Sequence, residues 1–169
     1  MPNFSRYYES GGWFFFTVVT YKRQAVLLQP QVRESLKQAL KETNQRYPFK
    51  IHAFVLLPDH FHCVLEIDDP KIPQRISMIK RRTTQLSGFQ SALQQTPSEK
   101  KKRRSGLWQP RYWEHHIHNE QRLYNQVMYC YFNPVKHGLV ERIGLWPYST
   151  FHRDVAAGHI PAEWAYISG

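Results

Sequence analysis

The sequence predicts an α+β fold: a ferredoxin-like, split β-α-β antiparallel sheet with helices on one face. Three observations carry that expectation. Residues 60–67 alternate in character with a period of two, as a strand with two unlike faces does. Two stretches, beginning at Pro30 and Ile72, repeat apolar residues at helical spacing. The order along the chain is strand, helix, strand, strand, helix, strand, helix, which suits a split β-α-β sheet.

Each element has a local reason. Gly11-Gly12 opens a run of aromatic and β-branched residues, Trp13 to Thr20, that reads as a strand. Pro30 fits a helix's first turn, Val32, Leu36, Ala39, Leu40 and Thr43 form its inward stripe, and Pro48 ends it. Lys50 to Leu57 is a second strand, Pro58-Asp59 a tight turn, and His60 to Ile67 a third strand. In that strand Phe61, Cys63, Leu65 and Ile67 point to the core, while His60, His62, Val64 and Glu66 point to the opposite, open face.

Ile72 to Phe89 reads as a second helix, with Ile72, Ile76, Ile79 and Leu86 inward and Arg75, Lys80, Arg81 and Arg82 outward. Residues 90–105 lack periodicity, contain Pro97 and carry the run Lys100 to Arg104, so a mobile basic loop is expected. Gly106 to Ile117 is the fourth strand. A third helix spans Glu120 to Phe132 and stops at Asn133-Pro134. One domain, 1–145, is followed by an irregular tail, 146–169, that packs on or gates the site through Trp146, Tyr148 and Trp164.

Bulk properties narrow the partner. A chain of 169 residues holds one well-buried domain. A net charge of +10 favours a polyanion, with nucleic acid ahead of an acidic membrane surface. Aromatics lie beside basic residues, as in Arg6-Tyr7-Tyr8 and Arg111-Tyr112-Trp113, an interleaving that suits stacking of unpaired bases. Two cysteines exclude a disulfide framework and suggest a reducing cytoplasm. No apolar run approaches the ~20 residues needed to span a bilayer. No Gly-rich phosphate loop and no Gly-x-Ser-x-Gly turn is present.

The chemistry-bearing residues are few. His60 and His62 share one strand face and can bind one divalent ion. Tyr129 and Asn133 lie one turn apart on the polar side of the third helix, with Arg122, Asn125 and Gln126. Cleaving a phosphodiester needs neutralised phosphate oxygens and a nucleophile, which an ion such as Mg²⁺ or Mn²⁺ and a tyrosine oxygen supply. A donor set without cysteine argues against a closed structural zinc site. His115, His116 and His118 form a second cluster, and Glu66 is placed to orient an imidazole.

Four ordered blocks then resemble a known family. They are Gly11 to Thr17 (GGWFFFT), Leu57 to His62 (LPDHFH), Trp108 to His115 (WQPRYWEH) and Tyr129 to Lys136 (YCYFNPVK). They are similar to the signature blocks of REP-associated tyrosine transposases, single-tyrosine HUH transposases, over nearly the whole chain. The resemblance implies an HUH endonuclease fold, with His60 and His62 as metal ligands, Asn133 as the third ligand and Tyr129 as nucleophile. It implies single-stranded DNA hairpins, bacterial repetitive extragenic palindromes, as substrate, cut through a 5′-phosphotyrosine. It also implies a cytoplasmic, nucleoid-associated protein that acts as monomer or homodimer. Asp59 departs from the family, where an amide is commoner before the first histidine.

On that expectation Arg75, Lys80, Arg81 and Arg82 hold the DNA backbone with the 100–104 run, which includes Lys101 and Arg103; Arg111 also binds DNA, and Arg6, Tyr7 and Tyr8 read unpaired bases. On the sequence alone, two rival classes remain open. One is a hairpin-binding protein that cuts nothing. The other is a histidine-based RNA phosphoesterase that needs neither Tyr129 nor metal.

Overall fold

The computed structural model describes residues 11–102 and 106–169. Four strands, β1 (Gly12–Val19), β2 (Lys50–Leu56), β3 (His60–Ile67) and β4 (Trp113–Ile117), form one sheet in the order β2-β3-β1-β4. Every pairing is antiparallel. Helices α1 (Pro30–Arg46) and α2 (Ile72–Ser87) follow β1 and β3, which is the ferredoxin-like arrangement. Their apolar stripes cover one sheet face, where Phe14, Phe16, Val18, Phe61, Cys63 and Leu65 meet Leu36 and Ile76.

Helices are not confined to that face. Helix α4 (Glu120–Lys136) and the C-terminal segment cover the other, so the sheet has two cores rather than an open working surface. Phe15, Val55 and Val64 pack there against Cys130, Tyr131, Trp146 and Phe151. The physical reason lies in β1 and β2, which send apolar residues to both faces: Phe14, Phe16, Phe54 and Leu56 to one core, and Phe15, Ala53 and Val55 to the other, the pattern of a sheet buried on both faces. His60 and His62 are consequently buried, at 6% and 5% exposure.

Several element ends also differ from expectation. Helix α4 does not stop at Asn133-Pro134 but continues to Lys136, and the His137 amide still donates to the Asn133 carbonyl at 3.0 Å. Burial of Asn133, Pro134 and Val135 against the sheet holds the last turn helical despite the proline. β4 is shorter than the 106–117 stretch; its first half is irregular and touches Thr20 through an isolated bridge at Trp108. Leu86 is exposed, and Thr83 and Ser87 take the inward places at that end of α2.

The stretch expected to be mobile holds a short helix, α3 (Pro97–Lys101), closed by a capping box between Thr96 and Glu99. Tyr21 donates to Glu99 at 3.1 Å and Gln24 to the Gly106 carbonyl, tying this stretch to the end of β1. The C-terminal segment forms α5 (Phe151–Ala156) between two 3₁₀ turns, and Trp146 Nε1 donates to the Leu56 carbonyl at 3.0 Å. Among the described residues, no helix is long and apolar enough to cross a membrane.

Candidate active site

Strand β3 brings the rings of His60 and His62 within 4.7 Å of each other on the face under α4. Each ring is pinned at Nδ1. Asp59 Oδ1 lies 2.6 Å from His60 Nδ1, and Thr17 Oγ1 lies 2.8 Å from His62 Nδ1. This is how metal-binding histidines are held elsewhere: a partner at one nitrogen fixes the ring and leaves the other for the ion. Phe15 stacks on His62 at 5.2 Å and stiffens it further.

Asp59 is itself held from three sides. Thr20 donates to its carbonyl through the amide at 2.9 Å and the hydroxyl at 3.0 Å, and Arg23 reaches its carboxylate at 3.3 Å. Arg23 and its neighbour Lys22 both sit in the left-handed region, with φ of 52° and 49°. That backbone is costly for side chains with a Cβ, about 1–2 kcal/mol per residue. The strain falls beside the candidate site, at the turn that delivers Arg23.

Electrostatics keep both imidazoles neutral. Burial drives His60 below the ordinary imidazole value, although the Asp59 carboxylate opposes it. Burial likewise pushes His62 down to about 3, helped by the neighbouring His60 and His137. Burial works against charge on Asp59 as well, but its bonds to His60 and Arg23 win and hold it below the usual carboxylate value. Neutral imidazoles are the form that binds metal.

Helix α4 supplies the other half. Tyr129 is half-exposed, and its ring meets His62 edge-on at 5.4 Å and Phe15 at 5.7 Å. Asn133, one turn on, is fully buried, and neither its Oδ1 nor its Nδ2 has a hydrogen-bond partner. Its amide lies near enough to His62 to favour the charged ring, without completing a well-aligned bond. An orphaned buried amide costs about 1–3 kcal/mol. A cation on Oδ1 would remove part of that cost.

Among the described residues, no three His, Cys, Asp or Glu side chains converge as a metal cluster. The donors available are two pinned neutral imidazoles and the Asn133 amide. That set leaves positions open for water and a phosphate, and so fits a divalent ion.

The same helix face carries two residues that the sequence reading missed. Lys136 places its ammonium 5.0 Å above the Tyr129 ring and 3.5 Å from Oη. The His137 ring lies 5.4 Å from His60. Positions 129, 133, 136 and 137 share one helical stripe. Ending the helix at Asn133 hid the last two.

Comparison with known proteins decides the family. The IS200-like transposase family matches residues 13–129. A REP-associated tyrosine transposase of Escherichia coli K12 is 40% identical over 167 residues, 98% of this chain and 92% of its own length. The chain belongs to the REP-associated tyrosine transposases. It is a transposase, an enzyme that acts on DNA. A relative from Haemophilus influenzae is also 40% identical, over 97% of this chain and 93% of its own. A solved REP-associated tyrosine transposase bound to a REP hairpin superposes with a TM-score of 0.81 at 38% identity, covering 99% of this chain and 93% of that one.

The transposase does not use all its expected cations for the same purpose. Arg75, expected on an outer face, is 1% exposed; it pairs with both oxygens of Asp69, at 2.6 and 3.0 Å, and donates to the Tyr47, Pro48 and Lys71 carbonyls. It ties the end of α1 to the start of α2. Arg82 clasps Glu42 of α1 at 2.6 and 3.2 Å. Lys80 donates to the Gln109 carbonyl at 2.7 Å and joins α2 to the segment before β4. Arg81, Lys101 and Arg111 are exposed. Arg6, Tyr7, Tyr8 and Arg103 lie outside the described residues.

The remaining candidates also find their places. Glu66 pairs with His52 at 2.6 Å and does not orient His62. His116 and His118 meet at 4.5 Å, with His116 against Phe14. Cys63 and Cys130 are fully buried, and burial pushes both thiols far up, which rules out a cysteine nucleophile.

Proposed function

We propose that this transposase cuts single-stranded DNA beside a hairpin by attack of Tyr129 on the scissile phosphate. The observation that carries this is the meeting of Tyr129 with the pinned His60–His62 pair over the orphaned amide of Asn133. A hairpin substrate is supported by the solved relative, which is bound to a REP hairpin.

In the step, the bond from Tyr129 Oη to phosphorus forms and the P–O3′ bond breaks. The phenol gives its proton to solvent, and the leaving oxygen takes one to become a 3′-hydroxyl. The 5′ end stays on the protein as a phosphotyrosine ester. Because that ester retains a phosphodiester, attack by a 3′-hydroxyl can reverse the step and join strands, releasing Tyr129.

The chain's own residues prepare this attack. Phe15 and His62 hold the phenol ring from below, and Lys136 donates to its oxygen and offsets negative charge there. Helix α4 packs on the sheet and brings the Tyr129 ring to His62. His60 and His62 through Nε2, and Asn133 through Oδ1, would hold Mg²⁺ or Mn²⁺. Such an ion, when bound, neutralises charge on the phosphate and leaving oxygens.

A labelled single-stranded REP-type hairpin incubated with Mn²⁺ tests the proposal. A denaturant-resistant protein–DNA adduct is expected for the wild type and not for Tyr129→Phe, with hairpin binding retained in both. Tight binding with no adduct under any divalent ion would leave a hairpin-binding protein that does not cut. Cleavage that survives Tyr129→Phe would move the chemistry to the histidines.

A further inference from the structure

We propose that Trp113 is a stacking platform for an unpaired nucleobase of the strand that enters the Tyr129 site. The proposal rests on Tyr129 being the nucleophile, and its location follows from sheet register. Thr17 of β1 lies directly opposite His62 of β3 on one side and Trp113 of β4 on the other. Directly opposed residues of an antiparallel ladder share a face. Thr17 Oγ1 contacts His62 Nδ1, so that face is the one carrying the candidate active site. His62, Thr17 and Trp113 therefore form a single row across three strands.

With adjacent strands ~4.8 Å apart, the Trp113 backbone lies about 10 Å from that of His62. The next row repeats the pattern, with Val64, Phe15 and His115 in register. Phe15 is the residue on which both Tyr129 and His62 rest. The floor of the site thus runs without interruption from the nucleophile to the β4 edge.

Cover differs along that row. Helix α4 packs over β2 and β3, and buries His62. Trp113 at the edge is 70% exposed, more than any other large apolar side chain among the described residues. Edge strands of soluble proteins are normally guarded by charge or proline, and an indole there is a poor choice for stability. It is a good choice for a base, whose π-face stacks on an aromatic ring whatever its sequence.

The surroundings match the charge of such a ligand. Arg111, two residues before Trp113, is exposed, and Lys136 holds its ammonium 3.5 Å from Tyr129 Oη. A strand whose phosphate lies at Tyr129 would meet Lys136 there, and a neighbouring unpaired base lying toward the β4 edge would fall on the indole beside Arg111. Trp113 is on this view a binding residue that sets where the single strand lies.

The test uses full-length Tyr129→Phe protein as parent, so that no turnover disturbs binding. Affinity is measured by fluorescence anisotropy for two DNAs: a bare hairpin, and the same hairpin with a short single-stranded extension. A 2-aminopurine in the extension reports stacking by loss of its fluorescence. The extended hairpin is expected to bind the parent more tightly and to be quenched. Trp113→Ala should weaken the extended hairpin roughly 10-fold or more, leave the bare hairpin unchanged and abolish the quenching. Trp113→Tyr should restore most of both.

Equal affinity of Trp113→Ala and parent for the extended hairpin would overturn the proposal. So would an equal loss on both DNAs, or a change of oligomeric state on gel filtration, which would assign the exposed edge to a second copy of the chain. A parent that binds the hairpin but gains nothing from the extension also overturns it, with the function of the site untouched. A parent that binds neither DNA, together with a wild type that forms no adduct, overturns the reading of the site and this proposal with it.

Discussion

At residue scale the most consequential side chains are those that hold another side chain still. Asp59 accepts from His60 and from Arg23. A carboxylate at Nδ1 fixes the tautomer and makes Nε2 a better ligand. Asp59→Asn should therefore weaken Mn²⁺ binding, measured by titration calorimetry, by roughly 10- to 100-fold with little change in thermal stability. Unchanged Mn²⁺ affinity would remove Asp59 from the site. Asp69 holds the fold in a similar way. Its bond to Arg75, above all, lowers its carboxyl from 3.8 to about 2. A depressed acid contributes stability above its unfolded value and loses it as pH falls through the folded one. Urea midpoints should accordingly fall between pH 3.8 and about 2, and less steeply in Asp69→Asn. The roles of these residues were only half legible: the histidines, Tyr129 and Asn133 stand in recognisable spacings, whereas Arg75 looks like any surface arginine. Its partners include carbonyls 27 and 28 residues earlier in the chain, which no local pattern connects to it.

Elements were legible where a local rule governs them. The alternation of β3 marks both its ends, and Pro30 marks the first residue of α1. Gly11 marks the approach to β1 for a reason visible only in three dimensions. It has a φ of +67°, and a Cβ there would sit 2.5 Å from the Ile67 carbonyl oxygen. Gly11→Ala should cost about 1–3 kcal/mol of stability in a denaturant titration, because backbone rather than a flexible side chain stands in the way. A loss within error would mean that β1 and β3 can separate at that end. Helix α4 shows the opposite case. A proline ordinarily ends a helix, and here it does not, since the last turn is anchored by buried Asn133, Pro134 and Val135. That extra turn carries Lys136 and His137 to the site, so the misplaced end and the missed residues have one cause.

At the scale of the whole molecule, charge and layering decide what the surface can do. The net charge of +10 is not spread over equivalent cations, because Arg75 and Arg82 are engaged within the fold. Arg81→Ala or Arg111→Ala should reduce the slope of log affinity against log salt for hairpin binding, by about 0.9 for each duplex phosphate that the variant no longer neutralises. The slope should be the same for wild type and Arg82→Gln; a reduced slope in that variant would show that its pair with Glu42 opens on DNA. By itself the sequence determined the α+β class, the alternation of β3, the two helices of the first layer and the spacings that single out His60, His62, Tyr129 and Asn133 as candidates. These follow from periods of two and 3.6 and from short spacings, which neighbouring residues impose on one another. The tertiary structure alone decided that α4 and the C-terminal segment close the second sheet face. It also decided that the histidines are buried and neutral, which arginines are structural, and that Trp113 shares a row with His62. Each of these depends on what packs against a surface from far along the chain, and burial, unlike periodicity, is a property of pairs of elements rather than of either one.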